Sequence, residues 1–140
     1  MFERDETAKF LGFGEGSTCY NNVLVLGDVK VGKNTWIGPN VVLDGSGGLV
    51  IGDHVSISAG VQIYSHHTVE KSNSLGSKPI KIGKTVIGDG VYIGPNSVVQ
   101  LGVTVGNSSS IGALSFVNRD IPPNAKAYGA PVTIYEINQN

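Results

Sequence analysis

The sequence predicts an all-β protein: a parallel β-helix of six-residue repeats with one extended loop and a short C-terminal tail. Three observations support this fold class. Aliphatic residues recur every six positions, glycine often follows them, and a small or β-branched residue stands four positions after nearly all of them. The aliphatic series has three runs: Val25, Val31, Ile37 and Leu43; Ile51, Ile57 and Ile63; and Ile87, Ile93, Val99, Val105, Ile111 and Val117.

A period of six fits neither an α-helix nor a simple alternating strand. It fits a chain that repeats a short strand and a corner, with the aliphatic residue in the interior and glycine accommodating the corner backbone. Three such strands close a triangular coil of about 18 residues, and coils stack at the usual strand spacing of about 4.8 Å. Because each coil hydrogen-bonds to the next, the backbone polar groups are satisfied. The span 25–121 therefore predicts about five coils.

Two interruptions break the repeat. The first is the segment Asp44–Gly48, and the second lies between Ile63 and Ile87, where the phase is lost for a whole coil. Insertions in solenoids commonly lie on the binding face, and two of the three histidines begin the second interruption, which favours a functional loop. We expect the following parts: an N-terminal lead-in at 1–22, the β-helix at 23–121 with a loop at about 66–80, and a tail at 122–140.

Composition limits the class of protein. The length of 140 residues predicts one domain, and the net charge of −1 gives no general attraction to nucleic acid or to an anionic membrane surface. No apolar run approaches the roughly 20 residues of a membrane span, and the charged N-terminus lacks the apolar core of a signal peptide. The single cysteine, Cys19, excludes an intrachain disulfide. We therefore expect a soluble, cytoplasmic protein without membrane insertion.

The histidines are the candidate catalytic residues, because only they ordinarily titrate near neutral pH. His54 occupies a corner position where other repeats have asparagine, which favours a structural role. His66 and His67 stand three and four positions after Ile63, so the repeat geometry turns His66 outward and His67 inward. An imidazole fits the narrow interior badly, which favours departure of the chain from the coil at this point. We interpret His66 as the better candidate base and His67 as the second.

A metal site is the rival interpretation of these histidines. Zinc or iron needs three histidines or carboxylates that converge on one point. His54 and His66 are twelve residues apart, so they lie on two faces of the same coil and diverge within one chain. We therefore expect no metal, although a site shared between subunits stays open.

The repeats resemble a known family, and four segments carry the resemblance. These are Ile51–His66, Ser77–Gly83, Val91–Val99 and Ile111–Pro123, and Gly129-Ala-Pro131 closes the match. In this order they resemble the hexapeptide-repeat acyltransferases, in the group of sugar O- and N-acetyltransferases that includes maltose and galactoside acetyltransferases and polysaccharide-modifying relatives. The resemblance implies left-handed coiling, a homotrimer with active sites between subunits, acetyl-CoA as the acyl donor and a sugar as the acceptor.

The resemblance also implies roles for individual residues. His66, with His67 adjacent, matches the histidine that acts as general base on the acceptor. That role suits a sugar hydroxyl, which is a poor nucleophile until its proton is removed. The family usually has a basic residue soon after Gly-x-Pro, whereas Val132 follows here. The remaining matches are Asn40 and Asp44 toward the substrate, Tyr92 near the cofactor thiol, Ala113 in the pantetheine groove, and Arg119 near the CoA phosphates.

Three classes of function remain open from the sequence. The leading one is an acetyl-CoA-dependent acetyltransferase that modifies a hydroxyl or amino group of a sugar or nucleotide-linked sugar. The second is a non-catalytic β-helix scaffold, which would not need a histidine at the start of the loop. The third is a metal-dependent hydratase of the carbonic anhydrase type.

Overall fold

A computed structural model describes residues 3–138, which form two short helices and sixteen strands. Most strands pair in parallel with a strand of the next coil. The elements are α1 Arg4–Phe10, β1 Thr18–Cys19, β2 Leu24–Val31, β3 Trp36–Ile37, β4 Val42–Ile51, β5 Ser56–Ile57, β6 Gln62–Ile63, β7 His66–His67, α2 Val69–Asn73, β8 Lys81–Ile82, β9 Thr85–Ile87, β10 Tyr92–Ile93, β11 Val98–Val99, β12 Thr104–Val105, β13 Ser110–Ile111, β14 Phe116–Val117, β15 Ala125–Tyr128 and β16 Thr133–Ile137.

The strands form a prism with three faces. Face 1 stacks β1, β3, β5, β10, β13 and β15. Face 2 stacks the first halves of β2 and β4 on β6, β11 and β14, whereas the second halves of β2 and β4 stack on β9 and β12 as face 3. The register keeps the aliphatic columns aligned, as in Ile37 to Ile57 to Ile93 to Ile111. The predicted six-residue repeat is thus the unit of the structure.

The interior is filled by the aliphatic columns and the small residues beside the corners. The column residues Ile37, Ile57, Ile93 and Ile111 have no exposed surface. The small inward residues include serine and threonine, whose hydroxyls donate to backbone carbonyls, as Ser17 Oγ does to Gly32 at 2.7 Å. Throughout residues 3–138, each buried side-chain nitrogen or oxygen has a hydrogen-bond partner. The core therefore combines apolar burial with satisfied corner hydroxyls.

Both ends of the prism extend beyond the span with the clearest repeat. At the N-terminal end, β1 already stacks on β3, so the coils begin at Thr18. At the C-terminal end, β15 continues face 1 and β16 returns antiparallel along it. The rings of Tyr128 and Tyr135 stack across this last pair with centroids 3.7 Å apart. Neither of the two described helices, of seven and five residues, is long enough to cross a bilayer.

The two interruptions meet at one corner of the prism, between face 2 and face 3. The first interrupts the second coil inside β4, and the second leaves the third coil after β6 and returns at β9. We call this the insertion corner, comprising residues 44–48 and 64–84. The second interruption leaves as β7, passes through α2 and returns as β8, which pairs antiparallel with β7. The stacking of the coils therefore brings two segments that are distant in sequence into contact.

Candidate active site

The insertion corner places His66 directly on Asp44. Asp44 follows the face 2 half of β4, and His66 begins the loop one coil further along the prism axis. The Nδ1 atom of His66 forms a hydrogen bond with Asp44 Oδ2. The Asp44 side chain has no exposed surface, whereas about a quarter of the His66 side chain is exposed. A buried carboxylate and a partly exposed imidazole thus form a pair at the loop base.

The Asp44 carboxylate is surrounded by hydrogen-bond donors. Its Oδ1 accepts from the Ser46 hydroxyl at 2.6 Å and the Ser46 backbone N–H at 3.0 Å, and Oδ2 accepts from the Ser65 backbone N–H at 3.1 Å. Burial raises the Asp44 pKa, but the donors of Ser46 and Ser65 together with His66 outweigh that effect and lower it to about 2. Asp44 is therefore ionised throughout the neutral pH range.

An ionised Asp44 dictates which ring nitrogen of His66 carries the proton. Because the carboxylate can only accept, Nδ1 must be the donor, and a neutral ring then has its lone pair on Nε2. No group within residues 3–138 forms a hydrogen bond with Nε2. The arrangement prepares His66 to take a proton at Nε2, with the resulting imidazolium stabilised by the carboxylate behind it.

His67 stays outside the prism. The inward position that the repeat assigns to residue 67 is taken by Thr85, which pairs with Leu49 on face 3 and has no exposed surface. His67 instead forms β7 beside Lys81 of β8, and its Nδ1 accepts from the Val69 backbone N–H at 3.4 Å. The departure of the chain from the coil therefore leaves both predicted histidines on the outer surface.

A cleft of about 430 Å³ lies beside the two histidines, between the loop and face 2. Its walls are mainly apolar. Among its polar groups, the Tyr64 hydroxyl already donates to Gln62 Oε1 at 2.6 Å. The cleft is lined by Tyr64, His66, His67, Thr68, Val69, Val98, Gln100, Leu101 and Phe116.

The predicted substrate-binding residues have intramolecular partners. Asp44 was expected to accept hydrogen bonds from sugar hydroxyls, but it is buried and both its oxygens are already engaged, so it is closed to an acceptor sugar. Asn40 occupies a left-handed corner position with φ of 58°, and its Oδ1 accepts from Asn22 Nδ2 at 2.9 Å. This asparagine ladder gives Asn40 a structural role, and its contact with substrate stays a prediction.

The predicted cofactor residues lie on two different parts of the prism. Arg119 is exposed and stands two positions after Val117, at the corner that holds His66, two coils further along. At the usual strand spacing this is about 10 Å along the axis. Tyr92 lies on face 1 with 43% exposure, and Ala113 is exposed at the corner between face 1 and face 2. One chain thus brings Arg119, but not Tyr92, to the side of the prism that carries His66.

The remaining titratable candidates stand apart from this site. His54 adopts φ of 54° at a corner, as the comparison with asparagine suggested. Cys19 is buried, and this burial raises its pKa to about 11. Within residues 3–138, no three side chains among His, Cys, Asp and Glu converge as a metal site would require.

Comparison with known proteins gives the family. Residues 84–119 match the family described as bacterial transferase hexapeptide (six repeats), and residues 28–65 match the hexapeptide repeat of succinyl-transferase. A hexapeptide-repeat-containing acetyltransferase of Vibrio cholerae has a similar solved structure, with a TM-score of 0.82, 30% identity, and coverage of 91% of this chain and 73% of that chain. The chain therefore belongs to the hexapeptide-repeat transferase family. The prediction of a left-handed parallel β-helix is confirmed.

Two curated relatives are similar over part of their length. Galactoside O-acetyltransferase of Escherichia coli (strain K12) is 37% identical over 117 residues, which are 79% of this chain and 55% of that protein. The dTDP-3-amino-3,6-dideoxy-alpha-D-galactopyranose 3-N-acetyltransferase of Aneurinibacillus thermoaerophilus is 45% identical over 56 residues, 40% of this chain and 29% of that protein. The chain thus spans about half, or less, of the length of these relatives.

Proposed function

We propose that the protein transfers an acetyl group from acetyl-CoA to a hydroxyl or amino group of a sugar or nucleotide-linked sugar, with His66 as the general base. The observation that carries this proposal is the pairing of His66 Nδ1 with the buried, ionised Asp44, which leaves Nε2 available at the edge of a cleft. The named activities of the galactoside and dTDP-sugar relatives support a sugar acceptor and an acetyl donor.

In the proposed reaction, His66 is the base and Asp44 supports it. Nε2 of His66 accepts a proton from the acceptor hydroxyl or neutral amine as that group attacks the thioester carbonyl carbon. The tetrahedral intermediate then collapses, the carbon–sulfur bond breaks, and the imidazolium returns the proton to the departing CoA thiolate. Asp44 holds the ring in one orientation and stabilises the imidazolium, without itself becoming protonated.

The functional unit of this proposal is a homotrimer. Tyr92 and Ala113 lie on face 1 and at its edge, whereas His66 and Arg119 lie at the opposite edge of face 2, so a single prism holds the predicted residues apart. Prisms packed side by side bring face 1 of one chain toward the insertion corner of the next. The exposed apolar side chains of Tyr92 and Phe116, at 43% and 38% exposure, fit such packing.

A thiol-release assay tests the proposed function. Purified protein is incubated with acetyl-CoA and a panel of sugars, amino sugars and nucleotide-linked sugars, and free CoA is measured. We expect release that depends on one acceptor class and disappears in His66→Ala. A wild-type protein that releases no thiol with any member of the panel, or a His66→Ala variant with full turnover, contradicts the proposal.

A further inference from the structure

Two serines tie the two interruptions of the repeat together at the insertion corner. Ser65, the residue before His66, has no exposed surface. Its hydroxyl donates to the Asp44 carbonyl at 2.6 Å and accepts from the Gly47 backbone N–H at 2.9 Å. Its backbone N–H donates to Asp44 Oδ2 at 3.1 Å, and its carbonyl accepts from the Gly83 backbone N–H at 2.9 Å. Ser65 therefore joins the first interruption, the start of the loop and the return of the loop.

Ser46 completes the enclosure of the carboxylate from the solvent side. It is exposed, yet its hydroxyl and backbone N–H both donate to Asp44 Oδ1. Oδ2 is then left to Ser65 and to His66 Nδ1. Each carboxylate oxygen thus has assigned donors, and rotation of the carboxylate would break contacts on both sides.

We propose that Ser65, together with Ser46, is a positioning residue pair, here called the serine clamp, that fixes the Asp44 carboxylate against His66 Nδ1 and thereby sets the ring tautomer. The clamp acts through Asp44 and does not touch the reacting groups. Its kinetic consequence rests on the proposed function, whereas its effect on the His66 ring does not.

The chain offers a matched control for Ser65. Ser17 is also buried; its hydroxyl donates to the Gly32 carbonyl at 2.7 Å and accepts from the Thr35 backbone N–H at 3.0 Å. These contacts reproduce those of the Ser65 hydroxyl at a corner remote from His66. Ser17→Ala therefore removes the same kind of hydrogen bonds without disturbing the carboxylate.

The experiment measures the tautomer of His66 and the turnover of the same variants. Nitrogen-15 spectra of the histidine rings, assigned with His66→Ala, report which ring nitrogen carries the proton at a pH where the ring is neutral. We expect the wild-type protein and Ser17→Ala to show one tautomer, protonated at Nδ1. Ser65→Ala keeps the backbone N–H that donates to Oδ2 but removes the hydroxyl that holds the Asp44 carbonyl and the Gly47 N–H. Because the backbone that carries the carboxylate is then no longer held, this variant should show a mixture of tautomers, with kcat lowered between about tenfold and a hundredfold and KM values little changed.

The outcomes decide the proposal separately from the proposed function. A Ser65→Ala protein with the wild-type tautomer overturns it, and so does a Ser17→Ala protein with the same mixture. If Ser65→Ala does not fold, the exposed Ser46→Ala decides: a partial shift of the tautomer supports the clamp, and an unchanged spectrum refutes it. If the wild-type protein transfers no acetyl group, the proposed function fails while the ring spectra still test the clamp.

Discussion

Replacement of Asp44 by asparagine should destabilise the protein in a way that depends on pH. Folding lowers the Asp44 pKa from 3.8 to about 2, and this difference corresponds to stabilisation on the order of 2 kcal/mol when the carboxylate is ionised in both states. Asparagine cannot be ionised, and its amide N–H₂ would face one of the donors on Ser46, Ser65 or His66. We therefore expect the free energy of unfolding at pH 7 to fall by at least about 2 kcal/mol.

The sign of the pH dependence follows from the lowered pKa. The contribution of Asp44 is fully present above its unfolded pKa of about 3.8 and is lost as the pH falls toward the folded value of about 2. Urea unfolding of wild-type and Asp44→Asn proteins should thus give a clear difference at neutral pH and a shrinking one from about pH 4 down to pH 2.

Asp28 provides the control for this measurement. It is exposed in β2, at the same corner one coil earlier, and its carboxylate forms no hydrogen bond within residues 3–138. Asp28→Asn should leave the unfolding free energy nearly unchanged across the same pH range. A difference for Asp44→Asn that persists undiminished at pH 2, or an equal loss in Asp28→Asn, would refute the reasoning.

The remaining predictions concern turnover, the cofactor, packing and assembly. His66→Ala should lower kcat by about two to four orders of magnitude and lower Tm somewhat, because Asp44 Oδ2 loses one of its donors. His67→Ala should lower kcat less, and the reverse ranking would identify His67 as the base. Arg119→Ala should raise KM for acetyl-CoA and spare that of the acceptor, and the opposite pattern would assign Arg119 to the acceptor or the fold. Gly47→Ala should lower Tm, because its Cβ would lie 2.3 Å from the Ser65 carbonyl; an unchanged Tm would contradict that contact. Sedimentation should give the mass of a trimer, and a single-chain mass at micromolar concentration would exclude one.

The repeat made the fold predictable, because the six-residue spacing of the aliphatic residues determines which of them stack in one column. Ile57, Ile93 and Ile111 pair in the register that the period of six requires. The loop was located for the same reason, since loss of phase after Ile63 marks where the chain leaves the coil. His66 was identified as the outward candidate because it stands three positions after Ile63.

The support of the site was much less predictable. The pairing of Asp44 with His66 requires both interruptions to lie at the same corner of successive coils. Because the two interruptions differ in length, this alignment is visible only in the stacked strands of the structure. Ser65 reads as an ordinary small residue, and only its buried contacts with Asp44 and Gly47 reveal its place in the site. Asp44 itself was expected to accept hydrogen bonds from a sugar. Its position in the sequence does not show that donors within the chain enclose its carboxylate.

The second interruption has the length of one complete coil. Ile63 and Ile87 are 24 positions apart, which is one repeat of six plus 18, and Thr85 occupies the place due to residue 67. Removal of residues 67–84 would therefore splice the third coil without changing the phase of any later strand. The loop is therefore an insertion that the prism does not need for its register. Loops of other lengths or chemistries could be grafted between His66 and Thr85, and the prism would keep its structure beneath the redesigned surface.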